Sequence, residues 1–341
     1  MARLVLHIGT HKTATTTIQD TFHANRDLLA QHGVVYPALG KHSGHHGLLT
    51  DWIALPLAYD LPDGGIGTLR ALATQYVDSN VTLLLSSEEF SRGGGAGGRV
   101  DMAALAGIFD GFESIKVVCF LREQWQFLQS VYLEIARSRT PPRPPVLIEQ
   151  AFETGMVDGL WCDYLALYDH LLTGFSPDMI HLVDFSTARQ QKGGVLAAML
   201  SFLDVSLDSE TLVSVNNGVS NASPRPLPTW AALAIAGGNP ATEDLFSAVR
   251  TAFDLEYGHD VTSSLFTRQE LERIATHFAQ PNIKLVKQHA TVQPSFLLTL
   301  QPPESSIIFR DDIDASFWVR AARRIFLSYG EAAATQPKYA Q

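Results

Sequence analysis

Four short runs, at 4–8, 81–85, 115–121 and 179–185, are almost continuously apolar and rich in β-branched residues. A strand with one wet face alternates apolar and polar residues. A strand without that alternation is covered on both faces, which is the condition of strands in a parallel sheet. Between the runs lie stretches at 15–31, 69–77, 122–137 and 194–203 whose apolar residues recur at helical spacing. Parallel neighbours cannot be joined by a tight hairpin, so each connection must carry the chain back along the sheet, and a helix does this with its own backbone groups satisfied. Strand then helix, repeated, predicts an α/β fold of three layers, a central parallel sheet flanked by helices.

Past residue 215 the pattern changes. The stretches 230–236, 243–253, 268–278 and 315–329 read as amphipathic helices with few strand candidates between them. The expected organisation is one domain over 1–341, an α/β core at 1–214 with a mainly helical extension at 215–341 packed on it. The chain's 341 residues, 46% of them apolar, are enough for a sizeable core. The run SRTPPRPP at 138–145 is expected to be a stiff loop, because proline removes a donor and clashes with the preceding turn. The glycine-rich stretch 93–98, after a strand end, reads as a mobile loop. Cys119, inside IKVVCFL, and Cys162, in an expected helix, lack metal-ligand spacing and read as reduced, buried thiols.

A formal net charge of −10 disfavours nucleic acid and anionic membrane as general partners, so an anionic ligand needs a local cluster of basic groups. The stretch MARLVLHIGTHK has too few consecutive apolar residues for a signal-peptide core, and nothing approaches the ~20 apolar residues of a membrane span. The expectation is a cytoplasmic protein with no membrane span.

The first apolar run leads at once into Gly9-Thr10-His11-Lys12-Thr13-Ala14-Thr15-Thr16-Thr17 and a helix. Strand, small loop, helix makes an anion site: loop N–H groups and the unpaired N–H groups of the helix's first turn converge, the helix dipole favours negative charge there, and Lys12 adds a full positive charge. A Walker A loop would read GxxxxGK[ST]. Here Gly9 lies three residues before Lys12 and His11 occupies the position of the second glycine, so an ordinary ATP or GTP loop is disfavoured.

The segment LHIGTHKTATTTIQ resembles the 5′-phosphosulfate-binding loop of the sulfotransferase family, a strand followed by GxxKTGTT and a helix. Lys12, Thr13, Thr15 and Thr16 match, whereas Ala14 stands where the family has glycine. The resemblance spans about the first two thirds of the chain. It implies a P-loop-like, bacterial-type sulfotransferase with 3′-phosphoadenylyl sulfate as co-substrate, adenosine 3′,5′-bisphosphate as product and no metal. Gly9, Thr10, His11, Lys12, Thr13, Ala14, Thr15 and Thr16 would hold the 5′-phosphate and sulfuryl group. Arg122, at the end of the run 115–121, and Ser130, eight residues on, resemble the family's 3′-phosphate site. Lys192, in Gln191-Lys192-Gly193-Gly194, resembles its Lys-Gly loop.

Sulfuryl transfer needs charge stabilisation on the leaving oxygen, a task suited to Lys12, and a base for the acceptor's proton. His46, in the cluster His42-Ser43-Gly44-His45-His46, is favoured because imidazole takes a proton near neutrality; His45 and Glu88 remain open. The expected acceptor is a hydroxyl or amine of a carbohydrate, glycolipid or small metabolite. Two other readings compete: a P-loop kinase or NTPase, with Thr13 on magnesium and LLLSSEE as an acidic Walker B strand, and a non-catalytic nucleotide-binding module.

Overall fold

The computed structural model describes residues 1–94, 97–215, 224–298 and 306–335, so that Gly95 and Ala96 of the glycine-rich stretch lie outside the described residues. In chain order the first elements are β1 (Arg3–His7), α1 (Thr15–Ala24), α2 (Arg26–Gln31), β2 (Val34–Val35), α3 (Gly64–Tyr76), β3 (Thr82–Ser86), α4 (Met102–Ile108) and β4 (Ser114–Leu121). Next come α5 (Gln124–Ser138), α6 (Pro144–Thr154), a two-strand hairpin of β5 (Met156–Val157) and β6 (Leu160–Trp161), α7 (Tyr164–Leu171), β7 (Ile180–Asp184), α8 (Phe185–Gln190) and α9 (Gly194–Leu200). The remaining helices are α10 (Pro226–Ala236), α11 (Glu243–Tyr257), α12 (Arg268–His289) and α13 (Ala315–Thr335).

The chain forms two compact units, one of Met1–Gln124, Gln150–Ala222 and His277–Leu300, the other of Trp125–Glu149, Ser223–Thr276 and Gln301–Gln341. The first contains a five-stranded sheet in the order β2-β3-β1-β4-β7, with every pairing parallel. Its strands do not alternate because both faces are covered. Leu4, Leu6, Leu83, Leu85, Val117 and Cys119 point into one apolar layer, which α3, α4 and α7 complete through Leu69, Leu105 and Leu167. Val5, Leu84, Val118 and Phe120 point into the other, with Ile18 and Phe22 of α1 and Met199 of α9. Each fully buried Leu or Val contributes about 1.5–3 kcal/mol, so a charged residue at Val5 or Leu84 would break this layer. The three-layer α/β fold with a central parallel sheet is therefore present.

Several boundaries differ from expectation for local reasons. The stretch 15–31 is two helices, since the Asn25 side chain donates to Thr21 O (2.7 Å) and Val213 O (3.0 Å) and accepts from the Val213 N–H (2.9 Å), diverting the backbone between them. Pro144 and Pro145 are not loop: they open α6, where a missing N–H costs nothing. Cys162 is buried and free but lies outside any helix, just before Asp163, whose carboxylate caps α7 by accepting from the N–H groups of Leu165 and Ala166. Helix α12 runs past the expected end at 278 to His289 with Pro281 inside it. Beside that proline the Asn282 and Gln124 side-chain amides bond each other in both directions, at 2.9 and 3.1 Å.

In the second unit α10, α11 and α13 pack around Leu227, Ala231, Val249, Phe253, Phe317 and Ala321. Arg225 joins this core by pairing with Asp254 and lying over the Phe253 ring. Among the described residues no helix is long and apolar enough to cross a membrane.

Candidate active site

The connection leaving β1 runs to one edge of the sheet, through α1 and α2 to β2, while the one leaving β3 passes to the other side, through α4 to β4. Where neighbouring parallel strands send their connections in opposite directions, a crevice opens at their carboxyl ends. In this chain that crevice lies between β1 and β3, and residues from both strand ends meet there.

On the β1 side, Lys12 (φ 67°) and Ala14 (φ 60°) are left-handed while Thr13 between them is not. This alternation of hand turns successive N–H groups toward one concave side, the geometry of an anion nest. The turn is braced from below. Thr10 donates both its N–H (3.1 Å) and its hydroxyl (2.9 Å) to Phe120 O at the end of β4, and the buried Thr13 hydroxyl donates back to Thr10 O (2.5 Å). A Cβ on Gly9, itself at φ +34°, would come within 2.6 Å of Thr15 Cγ2, so only glycine fits. Ala14 is the N-cap of α1 and supplies no side-chain cap, and the first turn carries no acid, so the N–H groups there are not covered by a capping side chain. An alanine in the left-handed turn at position 14 costs about 1–2 kcal/mol, a strain that glycine would not carry.

Arg122 lies just past β4. Its Nη1–H donates to Lys12 O (3.1 Å) and its guanidinium stands over the Phe185 ring at 5.6 Å. Its own carbonyl accepts from the Tyr164 hydroxyl. Burial, with Arg189 nearby, pushes its pKa down to about 10, so it remains a cation at neutral pH. Ser130 is buried on α5 in the second unit. Lys192 stands on the surface between α8 and α9, 81% exposed, with its ammonium 3.2 Å from the Glu210 carboxylate, an arrangement that contributes little energy.

On the β3 side the chain bends into a short turn at Glu88–Ser91, capped by Ser87, whose hydroxyl accepts the Glu89 N–H (3.2 Å). Glu88 Oε2 accepts from the buried Gln19 amide of α1 (2.8 Å). Burial works to raise the Glu88 carboxyl, but the neighbouring His11 and His46 and the hydrogen bonds to it hold it below the ordinary carboxylate range. Glu89 is held well below that range despite burial: His11 Nε2–H donates to its Oε1 (3.2 Å) and Arg92 Nε–H to its Oε2 (2.6 Å). His46 places Nδ1 2.8 Å from Ser87 Oγ, and its ring packs edge-on to Tyr59 at 5.0 Å. Gly44 lies close against Gln19 and His46, since a Cβ there would be 2.6 Å from Gln19 Oε1 and 2.7 Å from His46 Nε2.

His45 differs from His46. It is 1% exposed and packs at a tilt against the Tyr36 ring (4.4 Å), and both nitrogens are used: Nδ1 accepts the Ser86 N–H (2.9 Å) and Nε2–H donates to Pro37 O (2.8 Å). Burial pushes its pKa down to about 3. It is a structural, neutral imidazole, and no nitrogen is left for an acceptor.

No family model matches this chain, and no curated protein matches it. Among solved structures it is similar to a sulfotransferase from Alicyclobacillus acidocaldarius, at 12% sequence identity and a TM-score of 0.43, over 84% of this chain and 94% of that one.

The crevice gathers Gly9 to Thr16, Glu88 and His46 in one unit, with Arg122 touching the loop from the β4 side through Lys12 O, together with residues that sequence reasoning did not assign. Glu89 could have been suspected from the doubled acid in SSEE. Gln19, Ser87 and Tyr59 give no local signal, because each matters only through a partner 41 to 69 residues away or through a ring contact. Three residue types therefore converge: N–H groups and cations suited to an anion, an imidazole with one nitrogen engaged, and two ionised carboxylates.

Proposed function

We propose that this protein is a sulfotransferase that moves a sulfuryl group from 3′-phosphoadenylyl sulfate to a hydroxyl or amine of a carbohydrate, glycolipid or small metabolite. The observation that carries the reading is the alternating-hand turn at Lys12 and Ala14, braced on β4 and tied to the turn after β3 through His11 to Glu89 and, from α1, Gln19 to Glu88. A phosphosulfate fits such a cradle by its chemistry: non-bridging oxygens accept from N–H groups, threonine hydroxyls and an ammonium. When bound, the donor supplies a sulfur atom carrying a good leaving group.

In this reading Gly9 to Thr16 hold the 5′-phosphate and sulfuryl oxygens, and Lys12 faces the negative charge that grows on the bridging oxygen as its bond to sulfur breaks. Arg122 is assigned to the 3′-phosphate, with Lys192 as a further candidate for a phosphate contact. Arg122 in addition holds the loop's shape through Lys12 O. The acceptor oxygen or nitrogen attacks sulfur opposite the leaving oxygen, and its proton passes to His46 Nε2 if Nδ1–H donates to Ser87 Oγ. A carboxylate held below its usual range is a weak base, so Glu88 is better suited to orienting Gln19 and the imidazoles than to taking the proton.

The test is calorimetry with adenosine 3′,5′-bisphosphate and with ATP, each with and without magnesium, alongside a product assay with labelled donor. Magnesium-independent preference for the bisphosphate by roughly ten- to a hundredfold, the loss expected for one charged hydrogen-bond partner, supports the reading. Equal affinities, or binding only with magnesium, would return the site to the kinase class.

A further inference from the structure

Helix α13 carries three arginines, Arg320, Arg323 and Arg324, against a single acid, in a chain whose net charge is −10. Its inward side is spent on the packing of Phe317 and Ala321 against α10 and α11. Val319, Phe326 and Leu327 fall at i, i+7 and i+8, on one outward face, and are 51%, 77% and 54% exposed. Arg320 is engaged, its Nε–H donating to Glu256 Oε2 at 2.6 Å. Arg323 and Arg324 are exposed and make no ion pair among the described residues. Leu255 of α11 closes the far side of a groove of about 610 Å³ that this face shares with Ser316 and Arg320.

Guanidinium groups interleaved with exposed aliphatic and aromatic side chains suit an occupant that is both anionic and apolar. A second copy fits poorly. A twofold contact would set the same arginines face to face, and Glu256, the acid beside them, is already used by Arg320. A folded acidic partner could answer the charges but would need a preformed pocket for Phe326, whereas a bilayer offers phosphate at headgroup level and an acyl boundary just beneath it.

We propose that the outward face of α13 docks this protein on membranes rich in anionic phospholipid, Arg323 and Arg324 meeting headgroup phosphates while Val319, Phe326 and Leu327 enter the acyl boundary. The chain's overall negative charge confines the contact to this face. The proposal is independent of the donor site and is tested without it.

The experiment is co-sedimentation of the full chain with vesicles of phosphatidylcholine alone and with vesicles in which about a third is replaced by phosphatidylglycerol, at low and high salt. A basic residue near an anionic surface contributes roughly fivefold in partitioning, so R323Q/R324Q should lose roughly 25-fold. F326S should weaken binding while keeping its salt dependence. Thermal unfolding of the same variants, unchanged from the parent, shows that the face and not the fold was altered. No sedimentation with anionic vesicles, equal sedimentation with phosphatidylcholine alone, or undiminished binding by R323Q/R324Q overturns the proposal. Self-association that F326S abolishes, without vesicle binding, overturns it in favour of a second copy.

Discussion

Two fully buried histidines lie beneath the crevice, and both are neutral in the folded protein. His7, at the end of β1, spends Nδ1 on Ser86 Oγ (2.7 Å), packs against Phe120, and leaves Nε2 with no hydrogen-bond partner. Burial is the first cause of its shift and pushes its pKa down to about 4, with Glu88 opposing. His45 is pushed down to about 3, again by burial. In the unfolded chain each titrates near its ordinary value of about 6.5. Below that pH the unfolded state binds more protons than the folded one, so stability falls as pH falls, beginning near 6.5 and continuing until the folded values are reached. Between pH 7 and pH 5 each group costs about 2 kcal/mol, and the pair about 4 kcal/mol, a large part of the ~5–15 kcal/mol that holds a typical domain. Depressed carboxylates such as Glu88 act in the same direction, but only below their ordinary range near 4.5. The window from 6.5 to 4.5 therefore belongs to histidine. The measurement is urea unfolding at a series of pH values between 7.5 and 4.5, followed by far-ultraviolet circular dichroism. His45→Gln lowers stability at pH 7 by breaking its hydrogen bonds but should shrink the loss between pH 7 and pH 5 by about 2 kcal/mol. A free energy of unfolding that stays level or rises from pH 7 to pH 5 would refute the reasoning, as would a His45→Gln slope equal to the parent's.

Arg122→Met keeps the apolar stem and removes the charged donor to Lys12 O, a bond of about 1.5–3 kcal/mol; the ligand-free melting temperature should drop by roughly 3–12 °C, and affinity for adenosine 3′,5′-bisphosphate should fall as well. An unchanged melting temperature with weakened binding would leave Arg122 a ligand contact only. Ala14→Gly relieves a left-handed alanine worth about 1–2 kcal/mol and loses about 0.4–1 kcal/mol to the freer unfolded chain, so denaturant midpoints should rise by the equivalent of roughly 0.5–1 kcal/mol; a fall sinks the account of the loop. Lys12→Ala should lower both bisphosphate affinity and turnover, whereas His46→Ala should leave affinity nearly untouched while turnover drops by ~10²–10⁴-fold. Near-normal turnover in His46→Ala with none in Glu88→Gln would make the carboxylate the base.

Local pattern alone determined the parallel sheet. Leu4 to Leu6, Leu83 to Leu85 and Val117 to Phe120 fail to alternate because both sheet faces are buried, and that failure is written in the residues themselves. The same holds for the turn after β1, proposed to hold an anion, since Gly9, Lys12 and the threonines follow one another in the chain and need only the connection between β1 and α1 to converge. What the fold alone decided depends on partners distant in sequence. Asn25 splits a helix because Val213 lies beside it, and Arg122 braces the loop because β4 is the parallel neighbour of β1. His45 and His46 are adjacent and chemically identical, yet one is buried with both nitrogens bonded to Ser86 and Pro37 while the other keeps one nitrogen beyond its contact with Ser87. Their roles separate because β3 and the turn after it present a backbone N–H to one ring and a hydroxyl to the other. A side chain's chemistry is local, but its solvation and its hydrogen-bond partners are set by whichever strand the fold brings alongside.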